Sequence, residues 1–145
     1  MLATALGSGY APIAPGTVGT LVGILLYWPL AALSWQAYLC FLLVFTAAAV
    51  YLAQEAEIIF GKKDAPYIVI DEVGGLLWTL FCAPPTIAVV VMGFFLFRFF
   101  DIFKPFPARL IQDKLPGGYG VVGDDVMAGI YGNLVLQVLI KFSIV

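Results

Sequence analysis

Hydrophobic and polar positions are segregated along this chain into long apolar runs and short polar islands. No charged residue occurs within residues 1–54, 73–97 or 126–140. Apolar runs of this length read as helices that bury themselves in lipid or in a large core. Residues 20–33 predict a first hydrophobic helix after a Gly/Pro-rich leading segment, with Thr17 or Thr20 as its N-cap. A turn at 34–36 leads to a second helix over 37–53. Residues 54–70 form a polar connection holding Glu55, Glu57, Lys62, Lys63 and Asp64. A third apolar segment, 73–83, stops at Pro84 and Pro85, which cannot continue a helix. A fourth covers 86–103, a loop follows over 104–125, and a fifth helix covers 126–144. Within 105–115, Leu110, Ile111 and Leu115 share a face opposite Gln112, Asp113 and Lys114, the pattern of a short interfacial helix.

The expected fold is therefore all-α: one domain over residues 1–145, a compact polytopic membrane protein of about five hydrophobic helices with a short interfacial helix. If each apolar helix crosses the bilayer, the leading segment and the two charged connections share one side, and both uncharged turns share the other. Lys62, Lys63, Lys104, Arg109 and Lys114 mark the charged side as cytoplasmic, with only Lys141 dissenting. One segment fits badly. Residues 73–83 would reach only ~17 Å as a helix, against a hydrocarbon core of about 30 Å. Either that helix starts earlier, near Ile68, or the third and fourth segments make a shallow hairpin.

Composition sharpens this picture. Hydrophobic residues make up 63% of the chain, above the range of about 45–50% usual for soluble domains. Seven cations and nine anions sit in the same islands, which leaves no basic stripe for nucleic acid. Cys40 and Cys82 lie in apolar runs without the neighbours of a metal knuckle or redox pair. No charged n-region precedes the first apolar run, so no cleaved signal peptide is expected.

The acids at the borders of the runs carry the candidate chemistry. A charge at mid-bilayer costs roughly 2.5–3.5 kcal/mol, so carboxylates gathered at the rim suggest a polyanionic site at one membrane surface. Residues 7–20, with Gly16 and Thr17, offer backbone N–H groups at a helix start, suited to a phosphate or glycerol cradle. Asp71 and Glu72 adjoin at another helix start, where capping also explains them; Gly74 and Gly75 would let a further helix approach closely. Asp101 stands at a helix C-terminus, where the dipole disfavours it, with Arg98 three residues earlier on the same face. Arg98 and Lys104 suit phosphate oxygens. Gly117, Gly118 and Gly120 lead to Asp124, a possible cap, and Asp125, one residue further in.

These islands supply oxygen ligands for a hard divalent cation; magnesium takes one or two carboxylates plus substrate phosphate and water. The chain has no histidine, which excludes histidine phosphatases and Zn–imidazole sites. Thr46 and Ala88 stand where a cysteine phosphatase needs its arginine, and no Asp-x-Asp pair exists for an aspartyl-phosphate enzyme. Metal-assisted attack by water with a carboxylate base remains.

The motifs GSGYAPIAPGTVGT, DEVGG, FRFFDIFKPFP and GGYGVVGDDVMAG, in this order and spacing, resemble those of the phosphatidylglycerophosphatase A family. That resemblance spans essentially the whole chain. It implies a magnesium-dependent enzyme of the bacterial inner membrane, with its site on the cytoplasmic side. The expected reaction removes the terminal phosphate of phosphatidylglycerophosphate, a phospholipid, to leave phosphatidylglycerol. Carried over by position, the functional set is Asp71, Glu72, Arg98, Asp101, Lys104, Asp124 and Asp125. Within it, Asp71, Asp101 and Asp125 are the expected Mg²⁺ ligands and Glu72 or Asp124 the base. Arg98 and Lys104 are the expected phosphate clamp, with Gly16, Thr17 and Gly118 as further substrate contacts. Two other readings place acids similarly. A lipid headgroup phosphotransferase would need an Asp-x-x-Asp-Gly-x-x-Ala-Arg pattern that is absent. A cation channel or transporter subunit would need acids along a path, whereas these border the apolar runs.

Overall fold

A computed structural model of the chain describes residues 1–62 and 65–145; Lys63 and Asp64, read above as part of the charged face, lie outside them. Among the described residues the structure is all-helical. A 3-10 turn, Ser8–Tyr10, precedes α1 (Pro15–Leu30), α2 (Trp35–Phe60), α3 (Ile70–Thr79), α4 (Ile87–Phe103), α5 (Ala108–Lys114) and α6 (Gly118–Lys141).

Local chemistry sets these limits. Pro15 occupies the first position of α1 after a left-handed Ala14, where a missing N–H costs nothing. Neither threonine caps it: Thr20 is helical, its hydroxyl donating to the Gly16 carbonyl at 2.8 Å. Ser34 caps α2, accepting from the Ala37 N–H, and Thr86 caps α4. Helix α2 runs on through Glu55 and Glu57 to Phe60, so the predicted connection from residue 54 shrinks to the segment after Gly61. The glycine-rich stretch at 117–123, read as loop, is the start of α6. A Cβ on Gly118 would collide with the Val50 carbonyl of α2, so this glycine serves close helix approach rather than flexibility.

Helix α3 is the hub. It packs against α1, α2, α4 and α6, and all its residues but Glu72 and Trp78 are buried. Gly75 admits the Phe97 ring and the Asp125 carbonyl into space that a Cβ would fill, the close approach its sequence suggests. At ten residues α3 reaches about 15 Å; it begins earlier than Val73, at Ile70, two residues after Ile68. A helix ending inside a protein leaves its last carbonyls in need of donors. Neighbouring side chains supply them. Asn133 donates to Thr79 and Phe81 at 2.9 and 2.8 Å, and Gln137 donates to Phe81 at 3.0 Å. Tyr38 donates to Leu77 at 3.0 Å, and Tyr27 to Ala83 at 2.8 Å. The short segment thus needs no membrane-spanning length.

The outer surface is apolar. Leu25 of α1, Val44 of α2, Phe95 of α4 and Val138 of α6 are among many large hydrophobic side chains left exposed. Among the described residues, one helix, Trp35–Phe60, is long and apolar enough to cross a membrane, and Pro15–Leu30 is apolar but shorter. The all-helical expectation is met; of the about five hydrophobic helices expected, one is a clear spanning candidate among the described residues.

Candidate active site

At the N-terminal ends of α3 and α6 and the C-terminal end of α4, the acids from distant islands meet. A cavity of about 190 Å³ is lined by Pro15, Gly16, Pro66, Ile68, Asp71, Glu72, Asp101, Lys104, Val121, Asp124 and Asp125. A larger concavity, about 510 Å³, lies between the end of α2 and the start of α6, and among the described residues its ionisable lining is Glu57, Lys62 and Tyr119. The smaller one holds the concentrated charge.

Each element positions its acid for a reason. Asp71 and Glu72 lie in the first turn of α3, where the helix dipole favours negative charge; the Asp71 carboxylate also accepts the Glu72 N–H at 3.0 Å. Asp124 and Asp125 lie seven and eight positions along α6, past any cap, and are 2% and 3% exposed. Asp101 stands in the last turn of α4 and is held by Arg98 at 2.6 Å, while Arg98 also reaches Glu72 at 3.4 Å. Lys104, in a left-handed conformation that ends α4, turns its ammonium to Asp124 in an ion pair.

Two titrating groups report the field. Burial alone would lower the Lys104 ammonium, but the hydrogen bond to Asp124 and the charges of Asp124, Asp125 and Asp101 hold it above the ordinary lysine value. Burial first, then Asp101, Asp71, Asp124 and Glu72, push Asp125 well above the ordinary carboxylate range. Its buried Oδ2 has no hydrogen-bond partner. Such an orphaned oxygen, costly in itself, faces a cavity where five carboxylates meet two cations. At full ionisation that is an excess of three negative charges. Among the described residues, no three His, Cys, Asp or Glu side chains stand as a ready-made metal cage. The donor set instead fits a hard divalent cation that completes its shell with substrate oxygens and water.

The predicted functional residues therefore come together with few exceptions. Asp71, Glu72, Asp101, Lys104, Asp124 and Asp125 line one cavity, and Arg98 braces it from behind. Gly16 also lines it, in a different capacity from a phosphate cradle. A Cβ there would overlap the Glu72 carboxylate, and one on Gly19 would crowd both that carboxylate and Val69. These two glycines make room for the acid. Thr17 is half-buried within α1 and does not line the cavity; Gly118 packs on α2 and does not line it either. Gly19, Pro66 and Val121 escaped the sequence reading, and only the one-turn spacing of Gly16 and Gly19 hinted at the first.

Comparison with known proteins adds to this geometry. Residues 1–140 match the family model described as phosphatidylglycerophosphatase A. The chain is 36% identical over 131 residues to phosphatidylglycerophosphatase A of Escherichia coli (strain K12), covering 90% of this chain and 76% of that protein. It is 38% identical over 142 residues to the protein of the same name from Haemophilus influenzae, covering 94% and 85%. A Bacteroides thetaiotaomicron protein provisionally named a phosphatidylinositol-3-phosphatase is 36% identical over 147 residues, covering 95% and 91%. No solved structure matches.

Proposed function

Starting from the chain's membership of the phosphatidylglycerophosphatase A family, and hence from a phosphatase, we propose that it hydrolyses the terminal phosphate of phosphatidylglycerophosphate with Mg²⁺ at the cytoplasmic face of a bacterial inner membrane. The observation that carries the reading is the convergence of Asp71, Glu72, Asp101, Asp124 and Asp125 with Lys104 on one cavity. A phosphomonoester dianion entering an excess of carboxylate needs added positive charge, and two side-chain cations do not supply enough. Asp71, Asp101 and Asp125 would hold the Mg²⁺, which supplies charge neutralisation and polarisation of the phosphoryl group.

The remaining work belongs to the chain. Arg98 and Lys104 shift from their carboxylates toward the phosphate oxygens and stabilise charge that grows in the transition state. Water attacks phosphorus, the bond from phosphorus to the glyceryl oxygen breaks, and that oxygen takes up a proton. Inorganic phosphate and phosphatidylglycerol leave. Glu72 or Asp124 serves as base: each is released as its cation moves to the phosphate, and Glu72 starts from the looser contact, 3.4 Å from Arg98.

The surface supports this membrane placement. Helix α2, at 26 residues, reaches about 39 Å, enough to cross, while α6 carries the buried Asp124 and Asp125 in its first eight residues and only its apolar remainder can lie in lipid. The apolar side chains of α1 and α4 face outward beside them. The deciding experiment measures phosphate release by purified protein from phosphatidylglycerophosphate, phosphatidate and a phosphatidylinositol phosphate in parallel, with and without Mg²⁺. Release from the first that needs Mg²⁺ and falls at least about 10²-fold in Asp101→Asn, with the variant still folded in detergent, is the expected result. Full activity in that variant removes Asp101 from the site. The Bacteroides relative is the reason for the third lipid.

A further inference from the structure

A second concavity, about 330 Å³ and almost wholly apolar, opens beside the carboxylate site between α4 and α6, lined by Phe100, Pro105, Phe106, Tyr131, Leu134 and Val135. Its residues interleave with those of the site. Phe100 precedes Asp101, and Pro105 follows Lys104. Asp124 and Tyr131, seven positions apart on α6, share a face roughly 10 Å apart along the axis, and Leu134 and Val135 lie a further turn away. The groove thus leads from the charged rim toward the apolar interior of the bilayer. Its wall is built. Tyr131 donates its hydroxyl to the Phe106 carbonyl at 2.9 Å, and its ring lies 5.7 Å from that of Phe100. Phe106 itself is 81% exposed, an apolar ring at the junction of headgroup and chain.

We propose that this groove holds the glyceryl-proximal part of an acyl chain of the same lipid whose phosphate sits at Lys104. The inference rests on the lipid phosphatase reading and adds to it a second recognition element, one that reads chains instead of charge. Continuity argues for this occupant. Lys104 lines the charged cavity and the next residue, Pro105, lines this groove, so a lipid whose phosphate sits at Lys104 meets a concave apolar surface one residue along the chain.

The test is Leu134→Trp, with Val135→Trp as a second variant; both positions are exposed, so neither substitution disturbs the core. Steady-state kinetics in detergent micelles compare diacyl phosphatidylglycerophosphate with its deacylated, water-soluble headgroup. The expected result is a loss of at least about tenfold in kcat/KM for the diacyl lipid, carried by KM, with the headgroup phosphate turned over as by wild type. Equal loss on both substrates, or no loss on either, overturns the groove. A second measurement does not depend on turnover. A lipid phosphate with a diazirine near the ester end of one chain should label Phe106, Tyr131 or Leu134, and a choline lipid with the same chain should not. Equal labelling by both also overturns it. If wild-type protein releases phosphate from neither substrate, the hydrolase reading fails, and the labelling contrast alone decides the groove.

Discussion

Asp125 is the residue on which the charge balance of the site turns. It ends the polar first turns of α6, just ahead of the apolar run, and carries a buried oxygen that nothing bonds. Burial and four neighbouring acids raise its pKa in the folded state above the unfolded one. Between those two values the folded protein binds the extra proton, so stability falls as pH rises through that window. Without divalent cation, the thermal midpoint of the protein should therefore drop as pH climbs above the ordinary carboxylate range. Asp125→Asn should flatten that slope, and saturating Mg²⁺ should flatten it in wild type. A slope unchanged by both would show that Asp125 is not the strained acid. Lys104 works the other way: its raised pKa contributes stability that is present below the ordinary lysine value and is lost only as pH passes the folded-state value.

Among the elements, α3 decides the architecture, and its C-terminal end is the place to test it. Two of its late carbonyls, those of Leu77 and Thr79, with that of Phe81 just beyond, accept from side chains of α2 and α6. Asn133→Leu removes both Asn133 hydrogen bonds and leaves the Thr79 carbonyl unmatched, at roughly 1–3 kcal/mol, while Phe81 keeps the bond from Gln137. The expected outcome is a lower thermal midpoint in detergent, with the Mg²⁺ response of the site retained; an unchanged midpoint would show that water already serves that carbonyl. The sequence makes α4 legible almost to the residue, because Thr86 caps it and Lys104 ends its apolar run. It misplaces the starts of α1 and α6, for one physical reason. Gly16, Gly118 and Gly120 read as loop formers, yet they are helical and stand where another backbone or carboxylate leaves no room for a Cβ. The same ambiguity explains the site. Charged residues at the borders of apolar runs were readable, since few other forces place acids there. Glycines and prolines that shape the cavity were not, because their role exists only against a neighbour far away in sequence.

For the whole molecule, the separation of charged and uncharged connections implies an orientation. Cys82, exposed in the uncharged turn between α3 and α4, and Lys114, at the end of α5, lie on opposite sides of the proposed bilayer placement. In sealed inside-out vesicles carrying the protein in a Cys40→Ala background, an impermeant maleimide should leave Cys82 unlabelled until detergent is added. It should label Lys114→Cys, made in a chain that also carries Cys82→Ala, at once. Labelling of Cys82 from the outside of such vesicles would invert the placement and move the carboxylate cavity to the other face.

The ion pairs of the resting cavity have a consequence for product departure. Arg98 and Lys104 are already satisfied by Asp101 and Asp124, so any incoming anion must evict a tethered rival that cannot diffuse away. The same rivals stand ready to reclaim both cations once the scissile bond is gone. Free orthophosphate, stripped of the lipid that anchored it, competes on poor terms with groups at high effective concentration. On the proposed reading, turnover in the presence of dissolved phosphate would thereby be shielded from its own by-product.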